Sequence, residues 1–431
     1  MTIGRQTISS ILAKGARCMF SSDPTRTAQR VRDLSLYLGS NVMASGCHDP
    51  AGFVCASFEQ CHTSAASQSV DFHAGQMSHI GEHYDLSDDG HDLRIVVVGQ
   101  ESGSDQEFID LAERRQQVLT GSGRSRRYLS SEGAIRNPHM RGTTSALRTL
   151  FGVDDQLDHA SEFLNLASGE RVHMFDAFAL VNVLLCSAHE KGTKRGRSNA
   201  AMRKNCLRHF DETLRVLAPN VLVIQGLDAW DWIEGIFDGP GDRVSENLTR
   251  MPLHGNDVYV ATFTHPSVPN RHQWGRGDAP TYLVETVVPA LTRARAELRD
   301  DRARLLPMLP FVGRFDAVGS AGHWAGGDQV TPNTMSMPYF SLDKDAEAFG
   351  QACYDHGWVL GQDWLPWADT ARDLAEHPAR FETADIDLLA RCLTVYLRAD
   401  RFSEGTLAHC IETGAIAAIL RRMQSLADAL A

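Results

Sequence analysis

Four polar segments stand directly behind four apolar runs of strand length. Gln100-Glu101-Ser102-Gly103 follows residues 93–98, Asn182 sits near the end of residues 179–185, Gly226 follows residues 221–224, and His265-Pro266-Ser267 follows residues 258–263. Taken singly, Glu101 also reads as a helix-cap acid, Asn182 as a satisfied buried amide and His265 as a core histidine. Taken together in this order they mark a site. A carboxylate can balance positive charge, a carboxamide offers a donor beside an acceptor, and an imidazole can donate or accept a proton near neutral pH.

The runs between these groups must position them. Each apolar run is separated from the next by helical pattern, as in residues 200–217, where Leu207, Phe210, Leu214 and Leu217 recur at helical spacing. Continuous apolar strands alternating with helices predict an α/β protein, a three-layer α/β/α sandwich with a mainly parallel central sheet. In such sheets ligands bind beyond the carboxyl ends of the strands, where all four polar segments fall. The chain has 431 residues, and at ~150 residues per domain that predicts two or three domains. Residues 1–90 read as an arm rich in His, Cys and Ser, with an amphipathic first helix near residues 3–22. Residues 91–300 form the α/β domain, with helical pattern from Gln106 and a charged terminal helix over residues 290–305. Residues 301–431 form an all-helical domain, with an irregular Gly/Pro/Asn-rich stretch at residues 319–338 and helical pattern from Leu342.

Composition narrows the function. Charged residues are 22% and apolar residues 43%, as in ordinary globular chains, and no run reaches the ~18 apolar residues of a membrane span. The formal charge is −12, yet residues 301–431 carry 18 acids against 11 bases, leaving the first 300 residues only mildly acidic. Two basic clusters stand there: Arg124, Arg126, Arg127, Arg136 and Arg141, then Lys191, Lys194, Arg195, Arg197, Arg203, Lys204 and Arg208. Locally basic faces on an acidic protein can dock phosphates, although solvated loop charge reads the same way. Nine scattered cysteines without a secretion signal indicate a reducing, cytoplasmic compartment.

The segments Gly99-Gln-Glu-Ser-Gly103, Asn182 four residues before Cys186, Pro219-Asn-Val-Leu-Val-Ile-Gln-Gly226 and Thr264-His-Pro-Ser-Val-Pro-Asn-Arg271 resemble the motifs of the uracil-DNA glycosylase superfamily across residues 90–290. The resemblance implies a monofunctional DNA glycosylase. His265 would hydrogen-bond the base oxygen beside the glycosidic nitrogen. Glu101, with Gln100 beside it, would stabilise the cationic sugar and orient water, with Asp105 and Glu107 as alternative acids. Asn182 would read the base, and Ser267 would lie against it. Val268, Pro269, Arg271, His272 and Trp274 would wedge the duplex and hold phosphates, with Lys194 and Arg195 as further DNA contacts. No lysine occupies a motif position, which implies hydrolysis without strand cleavage. Iron–sulfur members place two ligands where Cys186 and Cys206 stand and two more in an N-terminal arm. Cys55 and Cys61 are the arm pair, with Cys47 as a substitute, and the implied cofactor is a [4Fe–4S] cluster in preference to zinc.

Two departures bear on substrate. The aromatic side chain on which members stack the base is replaced by His139 or Met140, and Gly103 stands where strict uracil enzymes place a tyrosine that excludes a C5 substituent. The carboxamide of Asn182 pairs with uracil or cytosine by turning half a revolution. Uracil and C5-modified cytosine, including the glucosylated kind of some phage genomes, are therefore rival substrates. A catalytically silent nucleic-acid sensor and a hydrolase of RNA or free nucleotides are the competing classes. The C-terminal part, through Phe349 and Gly357, Asp363-Trp-Leu-Pro-Trp367, the segment Leu393–Gly405 and Gly414, resembles a helical domain of unknown function. Trp364 and Trp367 read there as core anchors and Arg398 and Arg401 as a partnered or partner-binding pair, and the domain could contact DNA, a protein partner or only the α/β domain.

Overall fold

The computed structural model describes residues 20–430 apart from 48, 89, 123–135, 154–161, 194, 277–279, 318, 332–333 and 361–363. Most of the expected first helix, Cys18, Arg124, Arg126, Arg127 and Lys194 lie outside the described residues. The chain divides into two compact units between residues 299 and 300. Among the described residues no helix is long and apolar enough to cross a membrane.

The first unit is mixed α/β. The elements that frame its central sheet are, in chain order, α1 (Pro24–Asn41), α2 (Phe58–Ala66), β1 (Val70–His73), β2 (His79–Ile80), β3 (Ile95–Gly99), α3 (Pro138–Phe151), β4 (Ala179–Asn182), β5 (Ser187–Glu190), α4 (Ala200–Leu217), β6 (Val221–Gln225), α5 (Leu227–Ile233), β7 (Asp242–Ser245), β8 (Leu248–Leu253), β9 (Asn256–Phe263) and α6 (Val288–Leu298). Seven strands form one sheet in the order β7-β8-β9-β6-β3-β4-β2. The four apolar runs are its centre, and β9, β6, β3 and β4 pair in parallel. Both margins are antiparallel, through the β7-β8-β9 meander on one side and β2 on the other. The sheet is therefore mixed rather than mainly parallel. The marginal strands are short or alternate in burial, so they lack the continuous apolar signature of a doubly covered strand.

Strands β3 and β6 are buried at every position. Val96, Val98, Leu222 and Ile224 enter one core, packed by α1, α2 and α4. Ile95, Val97, Val221 and Val223 enter the other, packed by α3 and α6. Each such side chain contributes ~1.5–3 kcal/mol on leaving water. Helices thus cover both faces. Helix α3 starts where Asn137 accepts from Met140 N–H, with Pro138 in the first turn, and it stops at left-handed Gly152. In α4 the Asn199 side chain accepts from the amides of Ala201 and Met202.

Residues 20–90 are not a separate arm. Leu34 and Leu38 of α1 share the core of Val96 and Val98, and β2 extends the central sheet. The strand expected over 179–185 ends at Asn182, because Val183 and Leu184 N–H turn to Gly99 O and Gln100 O. The helix expected from Gln106 starts at Leu111, and the one expected over 290–305 is broken at Asp300, whose φ is 51°.

The second unit centres on helices α7 (Lys344–Asp355), α8 (Ala368–Glu376), α9 (Ile386–Ala399), α10 (Thr406–Glu412) and α11 (Ala415–Ala429). It is not all-helical. Gly322–Ala325 pairs antiparallel with Tyr339–Leu342, and a smaller ladder joins Gln329–Thr331 to Thr334–Met335. Trp324 and Phe340, opposite one another, make the edge-to-face pair that holds the ribbon, with centroids 5.6 Å apart. Trp367 is buried, Trp364 stacks on Phe402, Arg398 donates to Leu360 O, and Arg401 lies over the Tyr354 ring.

Candidate active site at the carboxyl edge of the sheet

Register brings the four strand ends into one row. Asn182 lies opposite Gly99, Gln225 follows Ile224, which is opposite Val98, and Gln225 is opposite Phe263. The chain leaves this row into Gln100, Gly226 and Thr264-His265. Gly226 has φ 141°, a conformation open to glycine, and a methyl there would lie 3.4 Å from Gln100 Nε2.

Gly99 is required by proximity. A Cβ on it would lie 2.4 Å from Asn182 Oδ1 and 3.4 Å from His139 Nε2, so the backbone itself forms the floor between amide and imidazole. Gly99→Ala is expected to displace the Asn182 amide, and any reaction carried by this edge should slow about 10²-fold, the cost of misplacing a contact by about 1 Å. The melting temperature should stay near wild type, because the obstructed atom ends a side chain. Parallel activity assays and thermal melts check this.

The two imidazoles are locked in opposite tautomers. Gln225, fully buried, donates through Nε2 to Thr143 Oγ1 (3.1 Å), so its Oε1 accepts from His139 Nδ1–H at 2.5 Å. His139 therefore presents a bare Nε2. Ser267 N–H donates to His265 Nδ1 at 3.2 Å, with Ser267 Oγ 2.8 Å from the same nitrogen. His265 is therefore a neutral ring whose Nε2 carries hydrogen. The rings lie 5.9 Å apart. Burial holds both below the ordinary histidine value, His139 at about 3 with His265 as a secondary cause. One acceptor, one donor and one carboxamide thus face a common edge, a set able to hydrogen-bond a flat heterocycle.

Glu101 sits apart from this trio. Its Oε2 accepts from Ala188 N–H (2.8 Å) and its Oε1 from Ser198 N–H (3.3 Å), against Gly196. Burial raises its pKa, partly offset by these donors. Gly103 is exposed and a Cβ on it would meet nothing within 4 Å. Asp105 lies near His189, and Glu107 accepts from Ala74 N–H.

Several expected contacts are placed elsewhere. Met140 is buried in the core between α3 and the sheet, since it is one residue, and so about a quarter turn, from His139. Trp274 is 1% exposed, packs on Phe263 and donates Nε1–H to Thr264 O, so it anchors the 264–275 loop instead of touching DNA. Arg136 is buried against Glu162 and offers nothing to phosphate. Pro269 and Arg271 are exposed, Val268 and His272 half-buried, and Arg195 exposed. Gln225 and Thr143 are positioning residues not anticipated from sequence. The signal was a glutamine ending the apolar run Val221–Ile224.

The four expected thiols lie in one region of the first unit, although among the described residues their sulfurs do not form a set all within 4.8 Å of one another. Cys186 follows β4, Cys206 lies on α4, Cys61 on α2 and Cys55 just before it. Burial raises Cys186 well above the ordinary thiol value and Cys206 to about 12, and the two perturb one another and feel Cys55 and Cys61. Backbone N–H groups of Gly75, Leu185 and Cys186 aim at these sulfurs, and Asn205 Nδ2 lies 3.4 Å from Cys61 Sγ. Cys61, Cys186 and Cys206 are buried and Cys55 is half-buried, and N–H donors of this kind favour the thiolate form that soft metals require. Cys47 instead donates to Asp49 O.

Residues 301–429 match the model of DUF6508, a family of unknown function. A comparison with curated proteins found no match.

Proposed function

We propose that the protein is a monofunctional DNA glycosylase that flips out a pyrimidine, hydrolyses its N-glycosidic bond and leaves an abasic site. The observation that carries the reading is the row of strand ends that sets Asn182, His139 and His265 around Gly99 with fixed tautomers. Flipping costs a few kcal/mol and delivers the base edge to these groups. His265 Nε2–H donates to the base oxygen beside the glycosidic nitrogen as that bond breaks and its electron pair moves onto the base. Water bonds to the sugar carbon and loses a proton, which ends on the base or in solvent. The Glu101 anion, held in place by the Ala188 and Ser198 donors, balances the cationic sugar. Pro269 and Arg271 would meet the duplex. Cys55, Cys61, Cys186 and Cys206 would hold a [4Fe–4S] cluster, which when bound supplies a structural cross-link among α2, α4 and the end of β4.

The open space at Gly103 supports a C5-substituted cytosine as substrate beside uracil, and glucosylated phage DNA would make the enzyme a defence protein. Mass spectrometry of bases released from uracil-containing, hydroxymethylcytosine and glucosylated DNA tests this, with Asn182→Ala and His265→Ala as controls. Released uracil marks a repair enzyme, and released modified cytosine with uracil untouched marks the tolerant pocket. DNA binding without release would replace the enzyme by the silent sensor, a reading favoured by the backbone donors that take both Glu101 oxygens.

The acid limb of the rate profile should belong to Glu101. Burial lowers both site histidines from the ordinary histidine value, His139 to about 3, whereas burial raises Glu101 from the ordinary carboxylate value. Activity is expected to hold through pH 6.5 (where an unperturbed histidine titrates) and to fall nearer the carboxylate range. Glu101→Gln should lower the rate and flatten that limb. A limb near 6.5 that survives in Glu101→Gln would refute the assignment.

A further inference from the structure

We infer that His73, Asp105 and His189 form a binding site for a divalent transition-metal ion of the zinc class, distinct from the cysteines and independent of the proposed function. Their ligand atoms lie within 4.8 Å of one another. Strands β1 and β5 pair antiparallel with His73 opposite Ser187, which makes His189 the diagonal neighbour on the same face. The two rings stand 5.2 Å apart. Asp105 arrives from the loop after β3, its Oδ1 3.6 Å from His189 Nδ1.

The tautomer of His189 turns this proximity into a site. Its Nε2 lies 2.7 Å from Ser102 O, and a carbonyl only accepts, so the proton is on Nε2. Nδ1 then carries a lone pair, is buried within a residue 1% exposed, and has no hydrogen-bond partner. It faces a carboxylate oxygen, and two acceptors at that range call for an electropositive species between them. A proton would serve His189 and Asp105 alone, whereas a metal ion would also take the His73 ring. A ring N–H bonded to a backbone carbonyl is the usual outer partner of a metal-bound histidine. Two imidazoles and one carboxylate match the donors of zinc, and three protein ligands leave a position open for water.

The ion would act on the loop that carries Gln100 and Glu101. Asp105 ties the far end of that loop to β5, whose Ala188 N–H binds Glu101 and whose His189 holds Ser102 O. The loop would be clamped on both sides of Glu101.

The test is equilibrium dialysis of the full-length protein, with its cysteine site as isolated, against buffered Zn²⁺. Bound zinc is counted and its ligand shell read by X-ray absorption at the zinc edge. His73→Ala and Asp105→Asn change half-buried and exposed side chains, and circular dichroism confirms that both variants fold. The expected result is one zinc in a nitrogen/oxygen shell near ~2.0–2.1 Å, bound at least about 10-fold more weakly by either variant. Zinc only in a sulfur shell near ~2.3 Å, equal binding by the variants, or no zinc in that range each overturns the site.

Discussion

Replacing His265 with alanine is expected to slow base release by about 10²–10³-fold in single-turnover assays, the usual cost of one preorganised donor to a developing anion. The size of the effect rests on a fixed tautomer. Ser267 N–H occupies Nδ1, which leaves the ring hydrogen on Nε2, and burial disfavours a second proton on the ring. Ser267→Ala keeps that backbone donor and should cost far less, which separates the imidazole from its hydroxyl neighbour. His139→Ala should raise the cost of substrate binding more than it slows bond cleavage, since its bare Nε2 can only accept. Release by His265→Ala within a few-fold of wild type, in a folded protein that still binds DNA, would remove His265 from the chemistry.

Arg136→Leu is expected to be the most damaging change to the first unit, costing about 3–5 kcal/mol because it leaves a buried carboxylate without its main partner. Arg136 meets Glu162 at 2.8 and 2.6 Å through two nitrogens and touches Thr144 Oγ1 at 3.0 Å. Arg148 and His173 reach the same carboxylate at 3.4 and 3.1 Å. Phe175 N–H donates to His173 Nδ1, so His173 in turn donates to Glu162 from Nε2. Thermal unfolding of the variant should shift down on the order of 10 °C, and adding Glu162→Leu should recover part of the loss. The network also sets an acid limit. These donors hold Glu162 at about 2 despite burial, so its contribution is complete above the ordinary carboxylate range and is lost as pH falls toward 2. Glu162→Gln should flatten the acid side of the stability curve. A variant pair as stable as wild type would show that the network is replaceable.

The parallel centre of the sheet was legible because strands covered on both faces are written as unbroken apolar runs. Ile95–Gly99 and Val221–Gln225 are of that kind, and the polar residues after them fall at one edge by the geometry of parallel strands. The likeness of the His265 loop to a known motif named most of the candidate residues. It misassigned Trp274, whose indole can serve DNA or a core equally well and is claimed here by Thr264 O and Phe263. Arg136 looked like one charge among five in a basic stretch, yet it is paired through a carboxylate 26 residues away.

What the sequence determined by itself is the four central strands, their order along the chain and the residue types near their ends, because side-chain periodicity records which faces are buried. Only the tertiary structure decided which atoms those residues present. Gly99 packs against Asn182, Gln225 turns His139 into an acceptor, Ser267 makes His265 a donor, and three strangers in sequence, His73, Asp105 and His189, come together. These outcomes depend on strand register and on backbone groups brought from distant segments, and neither leaves a periodic trace in the chain.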